Sequence, residues 1–141
     1  MAPAKPPHPH EGLTAPSLDD FAALAEAAWA RMPQGFRDAA GEVVFRVADF
    51  ADEATLADLG MEDPFDLTGL YHGVDLTRRS LLDLPGEPAT VWLYRRPILD
   101  EWAENGEVTL GELVEHVLVH EIGHHFGLSD DDIDAIEAGE R

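Results

Sequence analysis

Between positions 120 and 130 the chain reads His120-Glu121-Ile122-Gly123-His124-His125-Phe126-Gly127-Leu128-Ser129-Asp130, a spacing that demands a helix through its first half. A helix turns roughly 100° and rises about 1.5 Å per residue, so His120 and His124 stand about 40° apart around the axis and about 6 Å apart along it. Their imidazoles therefore address one point. Zinc accepts neutral imidazoles readily, and a catalytic zinc site needs one further protein ligand while a fourth position stays open to water. Glu121 projects about 100° away from His120, too far round to share that point, yet close enough to a water there to accept its proton. Gly127 permits a turn through φ > 0, by which the chain leaves the helix and returns Asp130 as the third ligand.

An amphipathic helix with incidental histidines is the plainer alternative, and the flanking residues weigh against it. Val117, Leu118 and Val119 keep the helix apolar up to His120, while Leu118, Val119, Ile122 and Phe126 fall roughly opposite the two histidines. One face is thus suited to a core and the other to nitrogen donors. Asp130 also has a structural reading, because Ser129 followed by Asp130-Asp131-Asp132 has the composition of an N-cap and an acidic first turn. The two readings are compatible. Glu137 and Glu140 are alternative third ligands. Asp130, Asp132 and Asp134 imitate a calcium loop, but Ala135 stands where such a loop needs glycine and Arg141 where it needs glutamate. His116 lies a turn before His120 and reads as a core or rim histidine; His125, about 100° round from His124, reads as a hydrogen-bonding or solvent-facing one.

Charge and composition narrow the remainder. At 141 residues the chain suits one domain, and 29 acids against nine Lys plus Arg give a formal net charge of −20. From Asp100 onward thirteen acids meet a single base, Arg141. Such a field repels nucleic acid and favours divalent cations and neutral or basic peptides, although it also serves simply as a solvated surface. No cysteine is present, so thiolate ligands are excluded and nothing points to a disulfide-stapled secreted protein. The first residues, Met1-Ala2-Pro3-Ala4-Lys5-Pro6-Pro7, lack the apolar run of a signal peptide, and no stretch reaches the ~18 apolar residues of a membrane span. The expected location is cytoplasmic.

Patterning predicts an α+β domain over residues 17–141 behind a disordered Pro-rich tail over 1–16, with His8 and His10 as tail residues. Ser17-Leu18-Asp19-Asp20 predicts a capped helix to about Met32, with Leu18, Phe21, Leu24, Ala25, Ala28 and Trp29 at core spacing. A short helix near Phe36 to Ala40, a strand over Val43 to Val47 and one or two helical turns within Asp52 to Gly60 follow. Leu70 to Val74 is a weaker strand and Thr90 to Tyr94 a stronger one. Pro97 to Glu104 predicts a helix stopped by Asn105-Gly106, and Thr109-Leu110-Gly111-Glu112 the cap of the motif helix. A last helix is expected from Ser129 toward Ala138. Tyr71, Tyr94, Arg95 and Arg96 read as packed aromatics and strand-end charges with no role in the site.

The motif, taken with Gly69-Leu70-Tyr71-His72-Gly73-Val74 and Leu93-Tyr94-Arg95-Arg96-Pro97, resembles a family of small bacterial zincin-like metallopeptidases over about Ser17 to Glu137. The resemblance implies a minimal α+β zincin, a small sheet packed on helices with the motif on a C-terminal helix. It further implies zinc held by His120, His124 and Asp130, Glu121 as general base, and a peptide or protein as substrate. Metzincins carry a methionine turn after the third ligand, whereas Met1, Met32 and Met61 here all precede the motif, so the floor of the site is expected to be built differently. Two other classes stay open: a noncatalytic module that keeps the zincin fold to bind a peptide, and a metal-dependent ribonuclease. The presence of Glu121 and the acidity of the chain both argue against the second.

Overall fold

A computed structural model of the chain describes residues 8–73, 89–125 and 131. Helix α1 (Leu18–Arg31) starts as its sequence dictates: the Ser17 hydroxyl accepts from the Asp20 N–H at 3.1 Å and the Asp20 carboxylate accepts from the Ser17 N–H at 2.8 Å, closing a capping box. Helix α2 (Gln34–Ala40) follows Pro33 and ends at Gly41, whose φ of 72° lets the chain turn into strand β1 (Val43–Ala48). Helix α3 (Glu53–Asp58) is capped by Asp52, which accepts from the Thr55 N–H; its carboxyl is held below the usual range by the Thr55 side chain first and by this N–H second. A 3-10 turn (Pro64–Asp66) leads into strand β2 (Gly69–His72).

Strand β3 (Ala89–Tyr94) is the centre of a three-stranded sheet of order β1-β3-β2. It runs parallel to β1, with Phe45 opposite Val91, and antiparallel to β2, with Tyr71 opposite Val91 and Gly69 opposite Leu93. Helix α4 (Arg95–Asn105) begins directly at the end of β3, two residues before Pro97, because the first helical turn needs no N–H partners and tolerates proline. Its stop at Gly106, with φ of 69°, matches the Asn105-Gly106 signal. Helix α5 (Leu110–His125) then carries the motif; Thr109 caps it by accepting from the Glu112 N–H at 3.1 Å.

The two faces of the sheet bury different clusters, as the alternation of side chains along a strand requires. Val91 and Leu93, with Val43, Phe45, Val47 and Tyr71 beside them, face the main core of Phe21, Ala25, Ile98, Val114, Leu118 and Ile122. Tyr94 faces the other way, joining Ala51 and Leu56 in a smaller cluster edged by Ala48, Leu70 and Trp92. The result is the expected α+β arrangement, a small sheet against helices with the motif on the last described helix. Leu18 departs from expectation: it is 40% exposed, because the core side of α1 is set by Phe21, Ala25 and Ala28 and the first turn overhangs it. Arg95 ties the segment before α1 to the sheet, donating from Nε to the Pro16 carbonyl and from its guanidinium to Asp49 at 3.1 Å. No helix among the described residues is long and apolar enough to cross a membrane.

Candidate metal centre

Four rows of side chains spaced by four residues run along α5, and each meets a different environment. Val114, Leu118 and Ile122 are fully buried against α1 and the sheet. Glu115, Val119 and Gly123 form the next row, in which Glu115 pairs with Arg31 of α1 at 3.5 Å and Val119 is buried. His116, His120 and His124 make a third row. Val117, Glu121 and His125 make the fourth, which lies along β2.

In the histidine row the rings of His120 and His124 stand 5.7 Å apart between centroids, tilted by 58°. Two imidazoles on one tetrahedral zinc, with Zn–N distances of about 2.1 Å, place their centroids roughly 5 Å apart, so a small side-chain adjustment brings this pair onto one ion. Nε2 of His120 is shielded from solvent, whereas the His124 side chain is exposed. One donor thus sits inside the wall of the site and the other at its mouth. His116 and His120 are closer, 4.2 Å between centroids, which is ring contact rather than the separation of two ligands on one ion. Both nitrogen donors suit zinc, and among the described residues no third His or carboxylate converges on them. Asp130, the expected third ligand, and the alternatives Glu137 and Glu140 lie outside the described residues, as do Phe126, Gly127 and the helix expected from Ser129 apart from Asp131.

Glu121 occupies the fourth row, as its 100° offset requires, and is half-buried between α5 and β2. Burial pushes its carboxyl above the usual range, while the main-chain N–H of Tyr71 and the neighbouring His124 pull it down. The strand register accounts for the Tyr71 contact. The Tyr94 N–H donates to the Thr68 carbonyl at 3.0 Å, so Leu70 and His72 are the next residues hydrogen-bonded to β3, and Gly69 and Tyr71 turn their main-chain groups to the outer side of β2. Glu121 meets one of those outward N–H groups.

Three further residues shape this side of the site. Gly69 lets β2 press onto α5: a Cβ there would come within 2.7 Å of Val117 Cγ1 and 3.3 Å of Glu121 Cγ. Tyr71 stacks on His125, with ring centroids 3.4 Å apart and planes 25° apart, so His125 faces an aromatic ring rather than meeting only solvent. Tyr94 is buried, and its phenol is pushed up chiefly by that burial, with the Asp52 and Glu121 carboxylates adding to it. Reading Tyr71 as an ordinary packed aromatic missed its double contact with Glu121 and His125. The nearest signal was the pairing of Gly69 and Tyr71 two residues apart, hence on one face of a strand.

The sequence signature of the zincin-like metallopeptidase family matches residues 40–140, from the end of α2 through the motif. The protein belongs to this family. A comparison with curated proteins returns no match. Membership in the zincin-like metallopeptidases accords with the α+β layout and with a helix that presents two imidazoles beside a glutamate.

Proposed function

We propose that the protein is a zinc-dependent peptidase in which His120, His124 and Asp130 hold the metal and Glu121 is the general base. The observation that carries this reading is the pair of adjacent rows on α5: two imidazoles at near-ligand separation in one, and in the next a half-buried glutamate that cannot share their ion. When bound, zinc supplies Lewis acidity, polarising a carbonyl and lowering the pKa of a water to about 7. Glu121 takes up the proton of the attacking water and passes it to the leaving amine, and a carboxyl raised by burial is better matched to that exchange at neutral pH than an exposed one. The outward main-chain groups of Gly69 and the outward carbonyl of Tyr71, whose N–H is taken by Glu121, offer an extended peptide main-chain partners beside the base. The acidic surface favours neutral or basic peptides over nucleic acid.

Glu121→Gln tests the mechanism, because it keeps the shape of the side chain and removes its capacity to accept a proton. Zinc content, measured by elemental analysis of protein purified without metal-affinity resin, is expected to stay near one equivalent, while turnover on a peptide library falls by about 100-fold or more. Loss of zinc together with activity would make Glu121 a ligand and overturn its assignment as base. A parent protein that holds zinc and cleaves no peptide would favour the noncatalytic peptide-binding module.

A further inference from the structure

Val117, Glu121 and His125 lie four residues apart and face β2, and two residues of that strand meet them on the same side: Gly69 and Tyr71. Gly69 contributes by having no side chain, which brings the backbone of β2 against Val117 and Glu121. Tyr71, one full strand repeat further on, then lies at the height of the next helical turn, and its ring covers His125 face to face at 3.4 Å between centroids. His125 is the last described residue of α5, and His124 precedes it. Gly127, outside the described residues, is where the sequence is expected to leave the helix, and the turn before such an exit is where fraying begins, so a metal donor placed there depends on whatever pins that turn.

We infer that Tyr71 is a positioning residue for the metal site, its ring clamping His125 so that this turn of α5 presents His124 to the same point as His120. The inference rests on His120 and His124 as ligands. His125 has a defined task in this arrangement and is not a ligand: it is the half of the clamp that belongs to the helix. Tyr71 touches neither metal nor reacting atoms, and acts through the turn it holds. The ring matters and the phenolic hydroxyl does not, because face-to-face stacking is a contact of aromatic surfaces. The clamp also explains why the close approach at Gly69 is useful, since a strand held off by a methyl group would carry the Tyr71 ring away from His125.

The test is the zinc dissociation constant of the metal-free protein, measured by competition with a chromophoric chelator at a temperature where circular dichroism shows each variant folded. Tyr71→Phe and His125→Phe keep a ring on each side of the stack and are expected to bind zinc within about threefold of the parent. Tyr71→Ala and His125→Ala remove it and are expected to weaken binding by about tenfold or more, the usual scale for residues that orient a ligand. If Tyr71→Ala does not fold, Tyr71→Leu, which fills the space without a stacking face, is expected to show the same loss. Folded alanine variants, or a folded Tyr71→Leu, that bind zinc like the parent would overturn the clamp. So would a His125→Phe variant as weak as His125→Ala, which would make His125 a ligand. His120→Ala separates the two layers of the argument: a parent that binds no zinc, or a His120→Ala variant that binds as tightly as the parent, overturns the metal site and the clamp together, whereas zinc binding that requires His120 but ignores Tyr71 overturns the clamp alone.

Discussion

Two rows of the same helix, Val114-Leu118-Ile122 and His116-His120-His124, share a period and differ in everything else. The first is fully excluded from solvent and packed against α1 and the sheet; the second leaves His116 and His124 exposed and withdraws only His120. Apolar burial rewards volume and shape, so the first row holds branched aliphatics that fill a close-packed interior. Metal binding rewards donor atoms at one point, and under the proposed function the second row gives up burial to keep nitrogen atoms reachable. The difference teaches that α5 gives its rows different environments: one is wholly packed into the fold, and the proposed metal site draws on another. The Val117-Glu121-His125 row is mixed: Val117 joins the main core, and the row also meets a strand distant in sequence.

The sharpest way to break this division is to attack the anchoring row and look for an effect on the other. Leu118→Ala leaves a cavity in a site with no exposure and is expected to cost about 2–5 kcal/mol in a denaturant melt. Zinc affinity should hold at temperatures where the variant remains folded. A loss of zinc with little loss of stability would mean that the two rows are not separate in function.

Gly69→Ala probes the contact between β2 and the fourth row and should rank second. The added methyl meets Val117 Cγ1 at 2.7 Å and the Trp92 carbonyl at 3.2 Å, and valine has few alternative rotamers on a helix, so about 1–3 kcal/mol of stability is expected to go. A thermal melt indistinguishable from that of the parent would show that β2 does not press on α5 as described.

The smallest effect is expected from Glu121→Gln in the metal-free protein, and it has the opposite sign. Burial raises the Glu121 carboxyl, so the native state holds that proton more tightly than the unfolded chain does. Ionised Glu121 therefore costs native stability once the pH rises above the ordinary glutamate range, the cost growing until the raised native value is passed, and it costs nothing below that range. Glu121→Gln should melt slightly higher than the parent at neutral pH, with the gain disappearing in acid. A gain that persists unchanged in acid would assign the effect to packing instead of charge.

Much of this was legible from the order of residues. The capping box at Ser17 and Asp20, the glycine stop at Gly106 and the core-facing Leu118, Val119 and Ile122 of α5 are local signals, each decided by groups within a few residues of one another, and the structure has them where the pattern put them. The i, i+4 relation of His120 and His124 is equally local, since helix geometry alone brings the rings together. Leu18 was misjudged because a helical stripe does not reveal which of its turns extends past the core. The sequence by itself thus determined the helix, the i, i+4 placement of His120 and His124 and the offset of Glu121 from them, because those follow from a rise and a rotation per residue. Only the tertiary structure decided that β2 sits at the outer edge of the sheet with Tyr71 turned toward α5, that Gly69 lets the two touch, and that His125 is stacked. Those contacts join residues about fifty positions apart, and no short-range periodicity encodes which strand a helix will lie against.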